Sequence, residues 1–198
     1  KEIRLVLRAG ADKVSLNTAT IKNPTFISDA ANKFGSSTIV VAIEAIKQTD
    51  GRYFAYVDNG REETGIEVIQ WARQIEELGA GELIITSVDR EGTAEGFDID
   101  LIKSISNVVN IPVIAHGGAS TMSNIIDAVQ FGNASALAIA SIFHYASMKK
   151  LLHTNSDNTE GNNTFKNSGK NFSIIEPCNI SDVKNLFKIN KIPCRPIN

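Results

Sequence analysis

Short apolar, β-prone runs alternate with helical patterns along most of this sequence, and that rhythm restricts the fold more than any single motif. Lys13–Asn17 (KVSLN) reads as a short strand, and Asn23–Pro24 then opens a helix with Phe26, Ile27, Ala30 and Phe34 on one side. Thr38–Ile43 (TIVVAI) is continuously apolar, as expected of a strand buried on both faces. Asp50–Gly51 separates two extended segments and favours a hairpin turn. Gly65 precedes an amphipathic helix carrying Val68, Trp71, Ala72, Ile75 and Leu78, closed by Gly79. Glu82–Thr86 (ELIIT), Ile111–Ala115 (IPVIA) and Ala136–Ala140 (ALAIA) read as three further strands. Between them, Asp98 caps a helix through Leu101, Ile102 and Ile105, and Ser120 or Thr121 starts another with Ile125, Ile126 and Val129. Five strands alternating with four helices specify an α/β chain with a parallel sheet of βαβ units.

Such a sheet is either open and doubly wound or part of a barrel. An open sheet concentrates its ligand at one switch point. Here the informative polar and glycine residues follow almost every strand, where a (β/α)₈ barrel gathers its active site. The reading is therefore a partial barrel. Residues 1–146 form its body, and 147–178, rich in Asn, Ser, Thr and Gly, form a polar, mobile insertion. Residues 179–198 supply a closing helix and tail, with Ser181 as the cap of a helix over Ile180–Ile189. Lys1–Arg8 already reads as the end of an amphipathic helix with Ile3, Val6 and Leu7 buried and Gly10 as its stop. On that reading, chain is expected before Lys1.

A net charge of −2 over 198 residues offers no basic stripe for nucleic acid and no polybasic membrane anchor. No apolar run approaches the ~20 residues that cross a bilayer. Cys178 and Cys194 read as a reduced pair in a cytoplasmic protein, and His116, His144 and His153 lack metal-ligand spacing. No metal site is expected.

Gly117–Gly118 follow the strand IPVIA directly. Glycines there let backbone N–H groups approach an anion, and a following helix adds its positive end. Ala140–Ser141 repeat the arrangement after ALAIA, and barrels commonly hold a phosphate between the loops after their last two strands. The loop Ser87–Thr93 brings Asp89, Gly92 and Thr93 to another strand end. It reads either as a surface turn with a local ion pair or as a second polar clamp. Glu44 closes the apolar strand TIVVAI, so its carboxylate must face the mouth or be neutralised. It is a candidate general acid/base, or only an anchor for a neighbouring loop. Asn17 stands at a strand's C-terminal end, within reach of a ligand. Lys13 and Glu82 begin strands, and so fall on the opposite face, where an ion pair would close the barrel floor.

The blocks AGADKVSLNTA, FGSSTIVVAIEA, GAGELIITSVDREGTAEGFD, IPVIAHGGAS and ASALAIASIFHY, in this order, resemble the successive strand-loop units of the cyclase subunit of imidazole glycerol phosphate synthase, HisF. The resemblance covers most of Ala9–Tyr145 and implies barrel strands 4 to 8. It implies a lyase and cyclase with no organic cofactor that takes ammonia from a glutamine amidotransferase subunit (HisH-like) docked at the N-terminal barrel face. Its bisphosphorylated substrate, PRFAR, becomes imidazole glycerol phosphate and AICAR in histidine biosynthesis. By the same resemblance Gly118, Ala140 and Ser141 hold one phosphate, and Gly92 with Thr93 help hold the other. Asn17, Thr86 and Asp89 line the mouth, and Lys13 and Glu82 belong to a charged ring through which ammonia enters.

The sequence departs from the family at Glu44 and Glu91, each standing where an aspartate is usual, and in the polar stretch after Tyr145. The family's other catalytic aspartate lies outside this chain, so the chain alone is expected to be inactive. Those departures leave two alternatives: amidation of a nucleotide-linked sugar by a HisF-like paralogue of surface-polysaccharide loci, or a non-catalytic scaffold.

Overall fold

The computed structural model describes residues 2–152 and 174–196. Among these, helix α1 (Glu2–Arg8) leads into β1 (Val14–Leu16), α2 (Thr18–Lys22) and α3 (Thr25–Phe34). The long strand β2 (Ile39–Lys47) turns into the hairpin strands β3 (Tyr53–Val57) and β4 (Glu62–Glu67). There follow α4 (Val68–Glu77), β5 (Glu82–Ser87), α5 (Ile99–Ser106), β6 (Val113–His116), α6 (Met122–Gln130), β7 (Ala136–Ala138), α7 (Ser141–Leu152) and α8 (Ile180–Ile189).

The sheet order bears out the barrel reading over the open sheet. The parallel strands pair as β1–β2–β5–β6–β7, each with the next parallel strand along the chain. A doubly wound sheet reverses its direction of growth at a switch point. This one never does, which is the progression of a barrel wall. The fold is α/β with a parallel-rich sheet, a partial (β/α)₈ barrel.

β2 holds two partners along one edge. Ile39–Val41 pair with β1, and Glu44–Lys47 pair antiparallel with β3, while β5 occupies the opposite edge. The hairpin expected at Asp50–Gly51 is closed by the Gln48 N–H donating to the Arg52 carbonyl, with Gly51 at φ 86°. Gly65 precedes the helix, as its sequence context suggests. It lies inside β4 at φ 70°, where the β3–β4 register slips, and the helix begins three residues later. Glu67 caps α4, its carboxylate accepting from the N–H groups of Ile69 and Gln70.

Other caps follow the sequence more closely. Asp98 accepts from the Leu101 N–H, and Thr121 with Asn124 forms a reciprocal capping box. At α8 the cap is Asn179, paired with Asp182, so Ser181 lies within the helix. Of the residues expected on the buried face of the first helix, Ile3 is 6% exposed but Val6 is 44% exposed.

The main core lies between sheet and helices. Ile39, Val41, Ile43 and Ala45 of β2 and Leu83 and Ile85 of β5 meet Trp71 and Ile75 of α4 and Leu101 and Ile105 of α5. A smaller cluster joins Ile125, Ile142, Val183 and Cys178. Cys178 and Cys194 are both free thiols.

The domain boundary read after residue 146 falls inside α7, and residues 153–173 of the expected insertion lie outside the described residues. Beyond them the chain rejoins the barrel, because the Glu176 N–H donates to the Ser120 carbonyl. No helix among the described residues is long and apolar enough to cross a membrane.

Candidate functional site

In a parallel strand, residues alternate between the helix side and the other face. With Val41, Ile43, Leu83 and Ile85 committed to the helices, Glu44, Thr86 and His116 must lie on the other, concave face. Register aligns them. Glu44 is the cross-strand partner of Thr86, and Thr86 of His116, so the three form one polar row near the C-terminal ends of β2, β5 and β6. Within the row, Thr86 Oγ1 lies 3.1 Å from His116 Nδ1.

Next to this row is a cleft of about 190 Å³. Its walls include Gly117 and Gly118 after β6, Ala140 and Ser141 before and in α7, and Gly92 from the loop after β5, with His116 beside the glycines. The glycines are required by close approach of backbone. A Cβ at Gly118 would lie 2.3 Å from the Gly96 carbonyl oxygen, and at Gly117 2.8 Å from the Ser87 carbonyl oxygen; both residues have positive φ. Gly96 in turn donates its N–H to the Gly118 carbonyl, which locks the loops after β5 and β6 together. The N–H groups of Gly117 and Gly118 have no partner among the described residues, and the first amides of α7 are left free by helix geometry. Residues with unpaired backbone donors from two loops therefore line one cavity, an arrangement suited to an oxyanion.

The structure brings Gly92, Gly117, Gly118, Ala140 and Ser141 to the walls of one cleft, whereas the sequence reading gave Gly92 and Gly118 to different phosphates. Thr93 does not join them. Its hydroxyl donates to the Arg90 carbonyl and accepts from the Glu95 N–H, which tightens the loop. Asp89 caps the end of β2, accepting from the Lys47 N–H at 2.8 Å. Glu44 does not end its strand, since β2 continues through Lys47. Its carboxylate is half-buried and accepts from the Gly60 N–H at 2.9 Å, holding the β3–β4 turn over the mouth. Asn17, half-buried after β1, accepts at its carbonyl from Thr20. At the other end of the wall, Lys13 and Glu82 are ion-paired across β2.

His116 was not singled out in the sequence. The available signal was its place directly before Gly117–Gly118, at a strand end. Among the described residues no cluster of His, Cys, Asp and Glu could hold a metal ion.

A family model described as "Histidine biosynthesis protein" matches residues 1–149. Imidazole glycerol phosphate synthase subunit HisF from Alkaliphilus metalliredigens (strain QYMF) is 48% identical over 158 residues, covering 77% of this chain and 63% of the relative. The chain thus spans less than two thirds of the length of that curated relative.

Proposed function

This chain belongs to the histidine biosynthesis protein family, and from that we propose that it is the phosphate-binding and catalytic wall of a HisF-type cyclase subunit. That subunit takes ammonia from a glutamine amidotransferase partner and converts PRFAR to imidazole glycerol phosphate and AICAR. The observation that carries the reading is the cleft at the ends of β6 and β7, lined by Gly117 and Gly118, whose N–H groups have no partner among the described residues, and by Ser141 at the start of α7. A bound phosphate accepts hydrogen bonds, so unpaired backbone donors beside a helix N-terminus suit it.

The mouth has room for a long ligand with two charged ends. From Asn17 after β1 to Ser141 after β7 there are four interstrand spacings, roughly 19 Å along the sheet at about 4.8 Å each. A bisphosphate seated at Gly118 by one end would lay its middle along the row Glu44–Thr86–His116. Glu44 is then the candidate acid/base at that middle. Its bond to the Gly60 N–H orients the carboxylate and leaves acceptor capacity for a substrate proton. Lys13 and Glu82, ion-paired at the opposite end of the wall, are then the candidates for the gate through which ammonia from a partner enters. Residues 1–146 supply the wall and 179–198 its closing helix.

The test supplies PRFAR and ammonium salt to the full-length protein at alkaline pH and follows PRFAR consumption, with Glu44→Gln as control. Turnover that falls at least about a hundredfold in the control is expected for a general acid/base. A folded protein that leaves PRFAR untouched overturns the assignment, and nucleotide-linked sugars become the substrates to try.

A further inference from the structure

We propose that His116 is a ligand-binding residue of the cleft, donating Nε2–H to the anion seated on Gly117 and Gly118, so that anion affinity rises as the imidazole protonates. The proposal rests on the reading of this cleft as a phosphate site.

His116 is the last residue of β6, half-buried, and lies on the cleft wall immediately before the glycine pair. Thr86 occupies its Nδ1 edge at 3.1 Å. Its Nε2, on the opposite edge of the ring, has no partner among the described residues. Thr86 is 8% exposed and its hydroxyl can donate or accept.

That versatility matters. When the imidazole is neutral, Thr86 can donate to Nδ1, which places the proton on Nε2. When the ring is cationic, Nδ1–H donates to Thr86 and Nε2 still carries a proton. Protonation therefore costs no hydrogen bond at Nδ1. An anion, which only accepts, selects the states with Nε2–H and favours the cation most.

The surrounding charges are few. Glu91, from the loop after β5, lies on the same cleft wall. Glu44 stands two strands away along the row with one oxygen on the Gly60 N–H. Arg90 abuts Gly118 through its Cβ, but its guanidinium is taken by Glu95. From α7 the wall receives Ser141, and His144 one turn on is exposed. His116 is thus the titratable cation of the cleft among the described residues.

Sulfate is the probe, because it stays a dianion throughout the range in which histidine titrates. Calorimetric titration of the full-length protein should show sulfate binding about tenfold tighter near pH 5.5 than near pH 8. In His116→Gln, which keeps a neutral donor, affinity should be flat with pH and match the weaker value. In the unsubstituted protein, ¹⁵N spectra should show sulfate raising the pH at which the His116 ring titrates, a readout that serves even if the variant folds poorly. Thr86→Val should shift the neutral ring away from the Nε2–H tautomer. A pH dependence that persists in His116→Gln, or a ring titration unmoved by sulfate, overturns the role of His116 and leaves the phosphate cleft standing. A folded protein that binds neither sulfate nor phosphate at any pH overturns both.

Discussion

On the side of the sheet that meets the helices, Ile39, Val41, Ile43, Leu83, Ile85 and Ala115 are each no more than 1% exposed. On the other side of the same strands, Ala42, Ile84, Ile114 and Ala138 are only half-buried, and Glu44, Thr86 and His116 stand among them. The helix side is an apolar interface closed by Trp71, Ile75, Leu101 and Ile105. The concave side carries the polar row and leads to the cleft. Two residues adjacent in sequence can therefore serve stability and ligand respectively, because the pleat sends them to opposite faces.

The largest effect should come from cutting into the helix side. Leu83→Ala removes a side chain with no exposure from the main core and should cost about 2–5 kcal/mol in denaturant unfolding. Its neighbour Ile84, half-buried on the concave face, should lose about 1 kcal/mol on the same truncation. Equal losses would show that the concave face is as tightly closed as the helix side, and would break the comparison.

Gly118→Ala addresses the concave mouth. The added Cβ meets the Gly96 carbonyl oxygen at a φ of 91°, so a loss of about 1–3 kcal/mol is expected from backbone strain. Unlike Leu83→Ala, it should also weaken sulfate binding in the folded protein. Unchanged affinity in calorimetry would mean that the glycine serves loop packing alone.

A smaller, pH-dependent effect sharpens the contrast from the helix side. Tyr53 is buried, and its hydroxyl donates to the Asp98 carboxylate that caps α5, tying hairpin to helix. Burial first, and the Asp98 charge second, hold the Tyr53 phenol well above its ordinary range. An unfolded tyrosine ionises near about pH 10, so the folded state binds the proton more tightly and stability should fall as pH rises past about 10. Tyr53→Phe should flatten that alkaline slope in urea titrations and lose about 1 kcal/mol at neutral pH. A slope that survives the substitution would assign it to other groups.

Much of this architecture was legible in the sequence because its signals are local. The runs TIVVAI and ELIIT, the Asp98 and Thr121 caps and the Asp50–Gly51 turn each state their structure within a few residues. A boundary failed where a distant partner intervened. β2 outran its apolar run because β3 folded back to pair with Glu44–Lys47.

The candidate site was legible as a set of strand ends but not as a set of contacts. Gly117, Gly118, Ala140 and Ser141 announce a donor-rich turn wherever the strands lie. That Gly92 shares their cleft depends on the Gly96–Gly118 hydrogen bond between loops. That Asp89 caps β2, and that Glu44 holds the Gly60 turn, likewise depend on segments brought together only by folding.

The sequence by itself determined the α/β alternation, the buried faces of α4 and α5 and the donor-rich strand ends, since periodicity and backbone preference act over a few bonds. The tertiary structure decided the neighbours: which strand edges pair, the cleft that Gly92 shares with Gly117 and Gly118, and the place of His116 beside Thr86. Those depend on strand registry, which sets parallel chains about 4.8 Å apart and joins residues tens of positions distant, beyond the reach of any local pattern.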